Sequence, residues 1–248
     1  MIRSLSDGSN GSPEPVDEGI MLLIDKPLQW TSFDVVHKVR QSLGVAKVGH
    51  AGTLDPRATG LLIICTGRQT KRMHEFTELG KEYTGTFQLG IRTPSFDMET
   101  AITEHADIST VTLEVLQAAV QGFLGKQLQI PPMYSAVKHH GKPLYKYARK
   151  GKTLERKAKE IDITEFSILS FTPPNVTFRV RCSKGTYIRA LANDIGEILG
   201  CGATLTELRR TSIGDFRVED ALSIDQLESM KAEKDLSQLE THEHRIFA

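Results

Sequence analysis

The chain has 248 residues, enough for one large domain or two small ones, and its 39% hydrophobic and 25% charged content is ordinary for a globular protein. No apolar run approaches the ~18 residues of a membrane span. The polar N-terminus lacks a signal-peptide core, and three scattered cysteines (Cys65, Cys182, Cys201) without a C-x-x-C argue against a disulfide framework or a zinc site. A cytoplasmic setting is therefore expected. The formal net charge of zero hides an asymmetry: residues 20–214 hold 26 basic and 18 acidic groups between two acidic ends.

Residues 1–19 read as a disordered acidic leader. "IMLLIDKP" then predicts a strand stopped by Pro27, and "TSFDVVHKVRQSLG" a helix capped by Thr31 or Ser32, with Phe33, Val36 and Val39 on its inner face. "GHAGTLDPRATG", a tightly punctuated loop, leads into a buried strand, "LLIICTG". "TKRMHEFTELG" looks helical, and "KEYTGTFQLGI" alternates as a half-buried strand, with Tyr83, Phe87 and Leu89 on one face and Gly85 leaving room beside the tyrosine ring. A loop or hairpin follows. Next comes a helix with Leu113, Leu116, Val120 and Leu124 at helical spacing.

"KHHGKPLYKYARKGKTLERKAK", residues 138–159, carries nine Lys or Arg against Glu155 alone. Such a run is either a solvated face or, with Tyr145 and Tyr147 interleaved, an RNA-binding surface, for which Lys146, Arg149 and Lys150 are the candidates. "EIDITEFSILSF" and "NVTFRVRCS" suggest an antiparallel pair, followed by a helix from near Thr186 to Gly200, mixed strand and turn, and a last short helix at "SIDQLESMKAE". The irregular alternation predicts an α+β fold with a mixed, mainly antiparallel sheet flanked by helices. The expected division is a catalytic domain over 20–215, with 138–159 as an exposed basic insertion, and a short acidic tail over 216–248, too short for a further RNA-binding domain.

Asp55 is the candidate reactive group. Asp-Pro is equally a turn former, but the glycines permit close approach to a ligand, His50 shares the loop, and the following strand anchors it. Tyr187 and Arg189 stand at a strand-to-helix junction, where they either pack and face solvent or serve the site. Should Arg189 meet Asp55, its charge would keep the carboxylate ionised and its fork would grip both oxygens. Tyr83 is either a core aromatic or a pocket wall. No metal-ligand cluster stands out.

Four motifs, "GHAGTLDPRATGLLIICTGRQTK", "KEYTGTFQLGIRTPSFD", "PPMYSAVKHHGKPLYKYARKG" and "CSKGTYIRALANDIGEILGCGATLTELRRTSIGDF", occur in order and together closely resemble the bacterial tRNA pseudouridine synthases of the TruB type over roughly residues 20–215. The resemblance implies an isomerase that converts the T-loop uridine at tRNA position 55 to pseudouridine. It implies Asp55 as the catalytic aspartate, His50 as a T-loop contact during base flipping, and Tyr83 as the ring that stacks on the uracil and takes part in proton removal. Tyr187 and Arg189 would be the site tyrosine and the aspartate's partner, and Leu208 an apolar neighbour of the base. The reaction gains and loses no electrons or groups, so no cofactor and no metal is required, and tRNA is the implied partner, with no obligate protein partner and no membrane. Many relatives carry a C-terminal PUA domain, which the acidic tail does not match. The alternatives are a guide-RNA-directed, dyskerin-like subunit and a non-catalytic RNA-binding module.

Overall fold

The computed structural model describes residues 19–232. The acidic leader falls outside these residues except for Gly19, as does the end of the expected tail. In chain order the elements are β1 (Met21–Lys26), α1 (Ser32–Leu43), β2 (Val48–Ala51), β3 (Ala58–Thr66), a 3-10 turn (Gly67–Arg72) and α2 (Met73–Glu78). Then come β4 (Lys81–Leu89), the short pair β5 (Ile91–Arg92) and β6 (Glu104–His105), α3 (Leu113–Gln121) and β7 (Gly125–Gln129). The basic segment contains β8 (Lys138–His139), β9 (Lys142–Pro143) and α4 (Tyr145–Ala148). The chain continues through β10 (Lys159–Thr172), β11 (Asn175–Cys182), α5 (Ile188–Ile198), β12 (Ala203–Ile213), β13 (Phe216–Arg217) and α6 (Ile224–Ala232).

One sheet in the order β1-β3-β12-β4-β11-β10-β7 organises the molecule, with β2 on β3 and β13 on β12. Every pairing in it is antiparallel except the seam between Ala58–Gly60 and Leu208–Arg210. This is the mixed α+β sheet expected. The seam is tight because residue 60 is glycine: at φ 104° it holds a backbone that side-chain-bearing residues avoid, and a Cβ there would stand 2.3 Å from the Arg210 carbonyl oxygen. Apolar residues of β4, β11 and β12 pack with α3 and α5, while β1 and β3 pack with α1 and α6.

Several local expectations change in the folded chain. Thr31 caps α1 in a reciprocal capping box with Asp34. The buried face of that helix is Ser32, Val35, Val36, Val39 and Ser42, and Phe33 points to solvent at 65% exposure. On α3 only Leu116 and Val120 are buried; Leu113 lies outward and Leu124 lies beyond the helix end. Gly85 leaves no open space, because the Phe178 ring and the bulged β12 backbone at Glu207 fill the position a Cβ would take. The stretch after 215 is not all tail: Leu222 exchanges backbone hydrogen bonds with Leu23 and Asp25 of β1, and Leu227 is buried against α1 and β3.

Candidate active site

The connection between β2 and β3 carries Asp55 and is held from beneath. Ser32, freed from capping, accepts from the Leu54 N–H at 2.9 Å and donates to the Leu54 carbonyl at 3.2 Å. Gln29 N–H donates to the Pro56 carbonyl at 2.8 Å, and Ala58 N–H closes a turn onto the Asp55 carbonyl at 3.0 Å. Asp55 therefore sits on a short loop pinned at the residues before and after it.

Its partner comes from the first turn of α5. Arg189 Nε lies 2.9 Å from Asp55 Oδ2, joining residues 134 positions apart; the arginine side chain is 4% exposed and the aspartate 42%. The expected two-pronged grip is not made. The guanidinium's other nitrogens donate to the carbonyls of Ser95 at 3.1 Å and Tyr134 at 2.9 Å, so Arg189 is fixed by the backbone and offers one edge to the reactive carboxylate. Burial of the Asp55 carboxyl in the cleft pushes its pKa above the ordinary value, and Arg189 pulls against that rise.

Asp55 stands in the wall of a cavity of about 410 Å³ that Leu54, Tyr83, Tyr187, Ile188 and Leu208 also line. Tyr83 comes from β4 and is 8% exposed; burial raises its phenol pKa, and the charge of Arg210 opposes the rise. Tyr187 precedes α5, and its backbone is locked by Gln129 of β7, which accepts from Tyr187 N–H at 2.8 Å and donates to its carbonyl at 3.1 Å. The structure thus brings Asp55, Tyr83, Tyr187, Arg189 and Leu208 to one cavity. His50 is not in its lining: it lies on β2, half-buried, with its Nδ1 buried and unpartnered among the described residues. Burial, aided by the positive Arg210, lowers its pKa.

Sequence reasoning assigned no role to a second carboxylate and three buried cations. Asp97, 5% exposed, places Oδ2 3.6 Å from Arg189 Nε on the loop that also supplies the Ser95 carbonyl. Lys26 donates to the carbonyls of Pro27 and Trp30, Lys81 to those of Thr77 and Leu79, and Arg210 to those of Leu61 and Gly52. Burial lowers both lysines to about 8. "IDKP" contained the signal for one of these cations, a basic residue at the end of an apolar strand.

Beside the cavity, residues 138–159 leave Lys146, Arg149 and Lys150 exposed. Arg149 lies 5.3 Å from the Tyr145 ring centroid and 2.8 Å from Glu99, tying the segment to the Asp97 loop. Among the described residues there is no cluster of side chains able to hold a metal ion, and no helix is long and apolar enough to cross a membrane.

The site thus combines a carboxylate beside a buried arginine, an aromatic and apolar cavity, and exposed cations next to it. Residues 40–188 match the model of the TruB family pseudouridylate synthase N-terminal domain, and residues 189–242 that of the tRNA pseudouridylate synthase B C-terminal domain. The chain belongs to the TruB family of pseudouridylate synthases. It is 54% identical to tRNA pseudouridine synthase B of Phocaeicola vulgatus, over 84% of this chain and 91% of that one. It is 48% identical to the same enzyme of Chloroherpeton thalassium, over 92% and 95%. Among solved structures it resembles a chain of the archaeal box H/ACA sRNP Nop10-Cbf5 complex (TM-score 0.67, 26% identity, 92% of this chain and 58% of that one) and one of a Cbf5-Nop10-Gar1 complex (TM-score 0.68, 28% identity, 88% and 57%). It spans less than three-fifths of either solved chain. The family model for residues 189–242 runs through the expected tail boundary at 215, in keeping with the packing of β13 and α6 on the body.

Proposed function

We propose that this chain is the tRNA pseudouridine synthase that isomerises the T-loop uridine at tRNA position 55. The observation that carries the reading is the Asp55–Arg189 pair at 2.9 Å inside the cavity that Tyr83, Tyr187 and Leu208 line. The T arm docks on the exposed cations of 138–159, and the target uridine leaves its stack to enter the cavity, at a cost of roughly a few kcal/mol that stacking on Tyr83 partly offsets. His50, on the strand leading to the cleft, meets the T loop as the base leaves.

Asp55, kept ionised by Arg189, assists cleavage of the C1′–N1 bond. The detached uracil, retained by Leu208 and the tyrosines, turns and joins C1′ through C5. The C5 proton then leaves to the ionised oxygen of Tyr83: the C–H electron pair closes the C5–C6 double bond, the N1–C6 π pair withdraws to N1, and N1 takes up a proton. No electron and no group is supplied from outside, so the reading asks for neither cofactor nor metal. It acts in the cytoplasm without an obligate protein partner. Identity near 50% to tRNA pseudouridine synthase B over most of the chain, against 26–28% to the guide-RNA-type chains, favours the stand-alone enzyme over the guided subunit.

The test is tritium release from a T-arm RNA labelled at uridine C5, using purified protein without added cofactor. Stoichiometric release from the position-55 uridine is expected. Release from other uridines only, or none, overturns the assignment.

A further inference from the structure

Arg210 is 1% exposed, and among the described residues no carboxylate lies within 4.0 Å of it. Its Nε donates to the Leu61 carbonyl at 2.7 Å and its Nη2 to the Gly52 carbonyl at 3.0 Å. Two neutral acceptors would be served by any neutral donor of that shape; they do not account for a full positive charge, one of the costlier groups to bury unpaired. The charge is therefore free to act on a group of the cavity that gains negative charge.

The β12–β4 register identifies one. Arg210 and Tyr83 are direct cross-strand partners, and both line the cavity. The other titratable groups around this spot are His50, Asp55, Lys26, Lys81, Cys182, Lys184, Tyr187 and Arg189. Five are bases whose protonated forms cannot be the anion. Asp55 is engaged by Arg189, and Cys182 is not in the lining of the cavity. Of the two phenols in the cavity, Tyr187 stands toward Asp55 and Arg189, and Tyr83 is the one across the strands from Arg210.

The geometry points to Arg210 as a positioning residue that holds the Tyr83 oxygen in place and stabilises the phenolate that takes the C5 proton. The inference rests on the proton-accepting role proposed above for Tyr83. In that step the phenolate oxygen takes the C5 proton and becomes phenol, the C–H pair becomes the C5–C6 bond, and N1 is protonated by water. The phenol then returns its proton to the hydroxide left behind, so the net change is one proton moved from C5 to N1. Burial of Tyr83 works against phenolate formation, and Arg210 counters it.

The experiment places 3,5-difluorotyrosine, a more acidic phenol, at position 83 and follows its fluorine resonance against pH in the otherwise natural chain, in Arg210→Lys and in Arg210→Gln. Loss of an adjacent cation should raise the phenol's titration point by about one unit or more in Arg210→Gln, with a smaller rise in Arg210→Lys, whose shorter reach keeps the charge at a greater distance. With tyrosine restored, the rising limb of kcat against pH should move the same way, KM for RNA should stay constant, and difluorotyrosine should bring the limb back down. A titration point that does not move in a folded variant makes Arg210 a mere tie between β12 and the Asp55 loop and overturns the inference. Should Arg210→Gln not fold, Arg210→Lys alone decides by the same criterion. The fluorine titration needs no RNA, so it stands even if the T-arm assay fails.

Discussion

Replacing Asp55 by asparagine separates the charge of the reactive group from its shape. The amide oxygen can accept the same Arg189 Nε bond at 2.9 Å. Arg189 also keeps its two carbonyl acceptors and Asp97 at 3.6 Å, so no buried charge is orphaned. The lost attraction is small, because a side chain with 42% of its surface exposed is screened by water; about 0–1 kcal/mol is appropriate. A second effect has the opposite sign. The folded-state pKa of Asp55 lies above its unfolded value of 3.8, so the aspartate costs stability as pH rises from the unfolded pKa through the folded one, and the cost persists at higher pH. Asparagine removes that cost. The Tm at pH 7.5 should therefore equal or exceed that of the natural chain, by no more than the 2–4 °C that about 1 kcal/mol represents at this size, and the gap should close as pH falls toward 4. Turnover should fall by about 10⁴ or more, roughly 5 kcal/mol on the barrier. Single-turnover tritium release, RNA affinity and scanning calorimetry on one preparation measure all three quantities. Residual turnover within about 100-fold of the natural chain, or a Tm lower by more than about 4 °C, would refute the reasoning.

Arg189→Lys keeps the charge but leaves the buried Ser95 carbonyl and that of Tyr134 short of donors. At about 1–3 kcal/mol for each unmatched acceptor, the Tm should drop by several degrees in calorimetry while kcat falls steeply and RNA affinity holds. Neutralising Lys146, Arg149 and Lys150 together should weaken RNA binding and flatten its log–log salt dependence. Because Glu99 already engages Arg149, the slope should decrease by about two contacts' worth rather than three, roughly 1.4–1.8 units in filter binding, with kcat at saturating RNA unchanged.

The fold was legible where one physical signal dominates. β3 is an apolar run between glycines, and β10 and β11 flank "TPPN"; each forms where composition points. The helix faces were less legible, because polar residues share the buried side: Ser32 and Ser42 face inward on α1, so a count of apolar spacing promotes Phe33 wrongly. Asp55 and its four cavity companions came from ordered motifs, and their convergence depends on a sheet order that no local pattern encodes. Asp97 and Arg210 were out of reach for separate reasons. Asp97 meets its partner from a loop without periodicity. Bulges between Leu205 and Glu207 and between Arg210 and Ser212 break the alternation that would tell which of Arg209 and Arg210 points inward. Buried cations whose hydrogen bonds go to main-chain carbonyls leave no complementary acid in the sequence to find.

The parallel seam between Ala58–Gly60 and Leu208–Arg210 also sets a schedule for synthesis. The Asp55 loop and the aliphatic β3 leave the ribosome some 150 residues before the strand that completes them, a delay on the order of 8–30 s at about 5–20 residues per second. During that interval β1 and β2 can pair with β3 from the nascent chain, but the edge at Ala58–Gly60 waits open. Arg189, Leu208 and Arg210 all arrive with the last quarter of the chain, so a nascent or truncated polypeptide carries the reactive carboxylate without the arginine that orients it. On the proposed reading, a polypeptide that stops before Arg189 would lack the Asp55–Arg189 pair and would not turn over, although its basic 138–159 segment could already meet RNA.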